Sequence, residues 1–356
     1  MDPDRLQDAA VPVRAGEEID AAKLTAFLNH HIPDLGREIT IRQFPSGFSN
    51  LTYLLETRAG DLVLRRPPIG AKVDKGHDMG REFKVLQAVN AVFSRCPKPL
   101  AFCEDAAVIG APFFVMEKAS GLILRRDLPP DLAFSSQAAG NLCQAMVETL
   151  AEIHGVDVAE LGFIGKPEGY VKRQVEGWSA RYRKARTPDA PDFEEAMAWL
   201  AEHMPPDTDR PGLVHNDYKF DNLVLTPEPP HAITHVLDWE MATIGDPLMD
   251  LGNSLAYWVQ ADDPETAQVL RTLPTHLPGM YTRRQVVAAY GKARGCPVEN
   301  FEFYYGFGLF RLAVIAQQIY YRFYHKITDN PRFAFLIAGV TGLEKQIHQL
   351  IQTSQW

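Results

Sequence analysis

Residues 213–225 read LVHNDYKFDNLVL. Two short apolar runs flank an insert of hairpin size, which holds His215, Asp217, Lys219 and Asn222. Apolar runs of this length, bounded by polar turn formers, read as buried strands. A histidine, a carboxylate, a lysine and an amide held between two strands call for an explanation beyond a solvated turn. The bland alternative is a polar turn with an Asx cap.

Composition narrows the field. The chain has 356 residues and a net charge of -9. That length suits two lobes and a sizeable core. The acidic balance argues against a general nucleic-acid binder. Cys96, Cys103, Cys143 and Cys296 are scattered and form no C-x-x-C pair, which speaks against zinc or a disulfide framework and fits a reducing compartment. The opening MDPDRLQDAAVPVRAG lacks a charged-then-apolar leader pattern. The most apolar late segment, FYYGFGLFRLAVIAQQIYYRFYHKI, is broken by Arg311, Gln317, Gln318 and Arg322, so it reads as a buried helix of a soluble, cytoplasmic protein.

The pattern along the chain predicts an α+β fold. A helix is expected over residues 17–35, capped by Asp20, with Leu24, Phe27, Leu28 and Ile32 at helical spacing. LTYLLET and DLVLRR form a hairpin around RAGD. A helix follows in GREFKVLQAVNAVF, then strands in PLAFCE and PFFVMEKA. Beyond Gly121 helices dominate, including AAGNLCQAMVETLAEIHG, and YVKRQVEGWSARYRKA with Val171, Val175, Trp178 and Tyr182 on one stripe. No internal repeat is visible. The boundary is placed near Lys118–Gly121, dividing residues 1–118 from 119–356.

His215, Asp217 and Asn222 fit H-x-D-x-x-x-x-N, a loop whose Asp acts on a substrate hydroxyl and whose Asn holds magnesium. HVLDWE supplies Asp238 as a second hard-oxygen ligand, on a strand able to pair with the one after Asn222. Phosphate binding also needs a strand cation. Val63 and Arg65 share a strand face and Arg66 points away, so Arg65 is the candidate, with Glu82 on the following helix as its partner. PSGFSNLTYLLE places one glycine and small polar residues before a strand, where a phosphate-covering loop would lie. G-x-x-x-x-G-K-[ST] is absent.

These stretches, with LVLRRPP, REFKVLQAV, FFVMEKASG and VLDWEMATIGDPLMDLG, resemble the aminoglycoside phosphotransferase and choline kinase-like family over nearly the whole chain. Within it the sequence is most similar to the kinase-like domain of fused acyl-CoA dehydrogenases, whose dehydrogenase part it lacks. The resemblance implies a two-lobed protein-kinase-like fold, with an N-terminal antiparallel sheet carrying one key helix and a mainly helical C-terminal lobe. It implies ATP and magnesium as cofactors. Asp217 would orient or accept the hydroxyl proton, Asn222 and Asp238 would bind the metal, and His215 and Asp250 would support the loop, with Asp246 a lesser candidate for that support. Ser46, Gly47, Phe48, Ser49 and Asn50 would cover the phosphates. Glu117 and Ala119 would offer backbone groups to adenine.

The chain departs from that pattern in two places. Arg65 stands where many relatives have lysine, and arginine can still grip two oxygens. Lys219 stands where antibiotic phosphotransferases often carry histidine, and can neutralise charge on the transferred phosphoryl group. DWE runs directly into MATIGDPLMDLG, leaving no room for a peptide platform, so the expected partners are a nucleotide and a small-molecule acceptor, without nucleic acid or membrane.

For the acceptor, Arg173 and Arg181 lie opposite the apolar stripe of their helix. They read either as a solvated basic face or as a surface for a hydroxy acid or its acyl-CoA ester. PDAPDFEEAMAWLAEH could serve an aminoglycoside instead. A catalytically silent nucleotide-binding module is the third reading. Metabolite phosphorylation ranks first.

Overall fold

The computed structural model describes residues 10–45, 50–69, 78–128, 132 and 134–354. Strands β1 (Thr40–Gln43), β2 (Leu51–Glu56), β3 (Leu62–Arg66), β4 (Pro99–Cys103) and β5 (Phe113–Glu117) form an antiparallel sheet in the order β1-β2-β3-β5-β4. Helices α1 (Ala21–Asn29), α2 (Met79–Val92) and α3 (Ala106–Ile109) accompany it.

Alternation assigns the two faces of this sheet. Tyr53, Leu55, Leu62, Leu64, Phe113 and Val115 share one core with Leu24 and Leu28 of α1. Leu54, Val63, Arg65 and Phe114 therefore turn to the other face, where Phe83 of α2 stacks on Phe102 and approaches Phe114. Parity thus sends Arg65 toward α2, whereas the buried Arg66 donates to the carbonyl of Ile109 at 2.9 Å. Helix α1 starts as expected, with the Asp20 side chain accepting from the Lys23 amide at 3.1 Å. It stops at Asn29, short of the expected residue 35. Pro33 blocks its continuation, and Ile32 lies in a turn.

Chain contacts divide the protein into two units. One comprises Met1–Ile123 with Asn222–Glu240, the other Leu124–Asp221 with Met241–Trp356. Besides the large sheet, the first unit holds the antiparallel pair β7 (Leu223–Leu225) and β8 (Ile233–Val236). The backbone of Leu122 is bridged to Leu225. Gly121 permits this close approach: a Cβ there would lie 2.3 Å from the Leu225 carbonyl oxygen.

The second unit contains α4 (Ser136–Ile153), α5 (Tyr170–Ala185), α6 (Glu194–Glu202), α7 (Pro247–Ala256), α8 (Glu265–Val269), α9 (Arg283–Arg294), α10 (Glu302–Tyr324) and α11 (Leu336–Thr353). Its two short strands, β6 (Gly212–Val214) and β9 (Thr243–Gly245), pair antiparallel. The apolar runs flanking the opening stretch, β6 and β7, consequently sit in different sheets instead of forming one hairpin. The insert between them is held by tertiary bonds, described below, and each strand takes its partner from further along the chain. No helix among the described residues is long and apolar enough to cross a membrane.

Helices α7 and α10 cross at glycines. A Cβ on Gly308 would stand 2.1 Å from the Gly252 carbonyl oxygen, and one on Gly252 would stand 2.2 Å from the Tyr304 carbonyl oxygen. Gly306 faces only side-chain ends, the nearest at 3.1 Å. Gly308→Ala should therefore lower stability by about 2–3 kcal/mol, since rigid backbone must move, and Gly306→Ala by clearly less. Urea unfolding of the two variants measures the difference; equal midpoints would contradict the crossing.

Candidate functional site

In the second unit, the loop after β6 is held by one carboxylate. Helix α7 begins with Asp246 as cap and Pro247 in its first turn, which places Asp250 fully buried against the loop. The amides of His215 and Asn216 donate to its two oxygens at 2.6 and 2.8 Å. His154 Nε2 lies 3.1 Å from the same carboxylate, and His154 Nδ1 lies 2.6 Å from the Tyr290 hydroxyl. Burial alone would raise the Asp250 pKa, but the hydrogen bond and charge of His154, with the His215 amide, outweigh it and hold the carboxyl below its usual range.

Other contacts pin the remaining loop atoms. Asn216 adopts a left-handed backbone, φ 64°, which asparagine tolerates better than most residues. Its side chain accepts from the Tyr170 hydroxyl at 3.0 Å and donates to the Met241 carbonyl at 3.1 Å. The Asp217 amide donates to His215 Nδ1 at 3.2 Å, and the Tyr218 hydroxyl donates to the Met146 carbonyl at 2.8 Å. His215 thus touches the loop backbone through its own ring nitrogen.

Lys219 folds back onto Asp217 with Nζ–Oδ2 at 2.6 Å and lies 3.3 Å from Asp221. The Tyr257 ring centroid is 5.6 Å from the same Nζ. Burial opposes the ammonium, yet Asp217 and then Asp221 raise its pKa, so Lys219 remains a cation. Arg125 closes the far side at 3.8 Å from Asp221.

The first unit carries the other half of the predicted set. Arg65 Nη1 lies 2.6 Å from Glu82 and 2.9 Å from Asp238, and Nη2 lies 3.2 Å from Glu240. With side chains 12% and 5% exposed, the Arg65–Glu82 pair is no surface contact. Burial works against the guanidinium, but Glu82, Asp238 and Glu240 together keep it charged. Oxygens of Glu82, Asp238 and Glu240 all lie within 4.8 Å of one another. Asp238 has φ 66°, and Trp239 locks the turn by donating from its indole to the Val236 carbonyl at 2.8 Å. The Leu237 amide donates to the Asn222 carbonyl at 2.8 Å, which brings Asn222 beside the end of β8. Hard oxygen donors beside several carboxylates and one cation suit magnesium, so these residues fit that ion.

Asn50 is buried and donates to Glu240 at 3.4 Å. Ser46, Gly47, Phe48 and Ser49 lie outside the described residues. The Glu117 amide donates to the Lys98 carbonyl at 2.9 Å, and Ala119 follows, half-buried. Arg173 is exposed and donates to the carbonyls of Glu168 and Lys166, while the exposed Arg181 lies over Trp178, 4.7 Å from its centroid. A cavity of about 650 Å³ in the second unit is lined in part by Tyr257, Gln260, Arg284, Tyr305 and Gln346; neither Arg173 nor Arg181 borders it.

The sequence reading missed Glu240, Asp221 and Tyr257. Glu240 was visible as the second carboxylate of DWE, and Asp221 as an acid beside Asn222. Tyr257 carried no local signal.

Residues 40–285 match the model of the phosphotransferase enzyme family. Acyl-CoA dehydrogenase family member 11 of Homo sapiens is 35% identical over 342 residues, 92% of this chain and 43% of the relative. Acyl-CoA dehydrogenase family member 10 of Mus musculus is 36% identical, over 79% of this chain and 26% of the relative. The chain thus spans less than half the length of these relatives. Among solved structures, a Ralstonia eutropha protein assigned as an aminoglycoside phosphotransferase is 28% identical with a TM-score of 0.76, covering 92% of this chain and 99% of that one. Choline kinase from Cryptosporidium parvum shares the fold at 12% identity and a TM-score of 0.63, covering 94% and 97%. The match over most of the chain, on a sheet and helical region of the kinase-like kind, shows that this protein belongs to the phosphotransferase enzyme family.

Proposed function

We propose that the protein transfers the γ-phosphoryl group of ATP, with magnesium, to the hydroxyl of a small hydroxy acid or its acyl-CoA ester. The observation that carries this reading is Arg65 set between Glu82 and Asp238, with Asn222 beside the same strand end. That arrangement pairs a phosphate-binding cation with an orienting carboxylate and two hard-oxygen ligands.

In this reading Arg65 grips the α- and β-phosphate oxygens, and Ser46, Gly47, Phe48, Ser49 and Asn50 cover them. Glu117 and Ala119 meet the base through their backbones. Asn222 and Asp238 hold magnesium, which would neutralise phosphate charge when bound. Asp217 takes the proton of the attacking hydroxyl as the new O–P bond forms and ADP leaves. Lys219 offsets charge on the transferred group. His215 and Asp250 keep the loop in the geometry that an in-line transfer demands. The cavity bordered by Tyr257 receives the body of the acceptor. The acyl-CoA dehydrogenase names of the relatives support an acyl substrate over an aminoglycoside.

Asp217→Asn should lower acceptor-dependent turnover roughly 10²- to 10⁴-fold while leaving magnesium-ATP affinity within a few-fold. Transfer of labelled phosphate from magnesium-ATP to pooled hydroxy acids, CoA esters, amino alcohols and aminoglycosides checks this. A labelled aminoglycoside would replace the acyl acceptor, and ATP binding without any labelled product would favour a silent module.

Asp250 gives a pH signature. Its native pKa lies below the unfolded carboxylate value of about 4, so its stabilisation is fully present above that pH and fades as pH falls through the native value. Asp250→Asn should cost about 3 kcal/mol near pH 7, and the gap to wild type should shrink below about pH 4. Urea titrations across pH 3–7 test the trend; a pH-independent gap would remove the charge from the explanation.

A further inference from the structure

Helix α10 contains a cation that packing does not account for. Arg311 sits in the middle of the helix and is 4% exposed. Other buried arginines of this protein are matched. Arg283 makes a two-pronged bond to Asp263 at 2.6 and 2.7 Å, and Arg66 donates to a backbone carbonyl at 2.9 Å. Arg311 has no hydrogen bond or ion pair with any described residue. Its guanidinium carbon lies 5.1 Å from the centroid of Trp178 on α5.

A cation–π contact recovers only part of what it costs to take a guanidinium out of water. No carboxylate among the described residues forms an ion pair with it, although Asp250 and Asp246 act on Tyr170, and Asp217 and Asp221 on Tyr257, the two phenols that also feel Arg311. Tyr170 and Tyr257 lie within electrostatic reach of Arg311, but burial keeps both phenols protonated, and pushes Tyr257 up to about 12. The nitrogens of Arg311 are nonetheless not sealed. The fully enclosed side-chain nitrogens that lack a partner belong to Arg65, His235, His276 and Arg283.

Tyr257 ties this cation to the loop after β6. Tyr257 lies beside Lys219, feels the charge of Asp217 as well as that of Arg311, and borders the 650 Å³ cavity, whose lining stops short of Arg311 itself. A fixed cation with an aromatic wall thus stands in the neighbourhood of the carboxylate assigned to the hydroxyl. Arg173 and Arg181, by contrast, are exposed and already occupied.

We propose that Arg311 anchors an oxyanion of the acceptor: the carboxylate of a free hydroxy acid, or a phosphate of its CoA ester. This deepens the phosphotransferase reading and rests on it for the identity of the bound molecule. The guanidinium holds one end of the acceptor while Asp217 addresses its hydroxyl, so acceptors without the anion lose their grip.

The full chain would be assayed with magnesium-ATP and a series from hydroxybutyrate to hydroxydecanoate, each as free acid, primary amide and CoA ester. Wild type should use the acid or the CoA ester at least 10-fold better than the amide, and whichever is preferred identifies the source of the anion. Arg311→Met retains bulk against Trp178. It should lower kcat/KM for the anionic acceptor roughly 10- to 100-fold, chiefly through KM, and change the amide less than about 3-fold. Arg311→Lys should recover part of the loss. Equal use of acid, ester and amide by wild type, or unchanged discrimination in Arg311→Met, would overturn the anchor and leave the phosphotransferase reading intact.

Calorimetric binding of the same acids and esters to Asp217→Asn, with and without Arg311→Met, separates the two ideas. Binding that depends on Arg311 without phosphorylation in wild type would keep the anchor and defeat the phosphotransferase reading. No binding and no transfer with any member would defeat the anchor. Should Arg311→Met fail to fold, shown by loss of magnesium-ATP binding and of a melting transition, the wild-type acid–amide comparison with Arg311→Lys decides.

Discussion

Two successive amides, those of His215 and Asn216, donate to the one buried carboxylate of Asp250. Apart from a single 3-10 turn at Phe220–Asn222, the loop has no helix or long strand to fix its backbone, so its shape has to be imposed from outside. A carboxylate that accepts two amides imposes both position and direction. The cost is a fully buried negative charge, and His154 offsets it by sharing the carboxylate, with Tyr290 holding the imidazole from behind. Three helices, α4, α7 and α9, thus contribute to the placement of a loop that none of them contains. Asp217 and Lys219 inherit their positions from that clamp.

Charge is handled differently in the first unit. There the Arg65 guanidinium faces Glu82, Asp238 and Glu240, and Arg81 donates to the Glu240 carbonyl at 2.9 Å, so three carboxylates share two guanidinium groups. A cluster with excess negative charge is poorly arranged for stability alone. In the proposed function it would receive a further cation together with phosphate oxygens. The positive φ of Asp238 points the same way, since local strain of this kind persists where the surrounding structure over-determines it, here through the buried Trp239. In the second unit, the buried Arg311 makes no ion pair among the described residues.

Much of the candidate site was legible because its residues signal through local spacing. H-x-D-x-x-x-x-N declares His215, Asp217 and Asn222 within one short stretch. Strand alternation separates Arg65 from Arg66, and the structure sends them to opposite faces of the sheet. Helical spacing puts Glu82 in the first turn of α2, where Asp78 caps the helix. The less legible residues signal only in three dimensions. Tyr257 is an ordinary aromatic at a helix end, and Arg311 reads in sequence merely as a polar break in an apolar run. Arg173 and Arg181 show the converse: a basic stripe on a helix announces charge, but not whether backbone carbonyls or a neighbouring ring already occupy it.

By itself the sequence determined the α+β class, the antiparallel sheet with its inserted helix, the catalytic-type loop and the family resemblance. Each of these rests on short-range periodicity or on residues a few positions apart. Only the tertiary structure decided that β6 and β7 pair with different strands, that residues 222–240 join the first unit, and that Glu240 completes the group around Arg65. It alone decided that Arg311 is buried without an ion pair among the described residues. The physical reason is common to all of these. Strand partnership, burial and charge pairing depend on which distant segments meet, and the free energy of a buried charge is set by neighbours that lie far away along the chain.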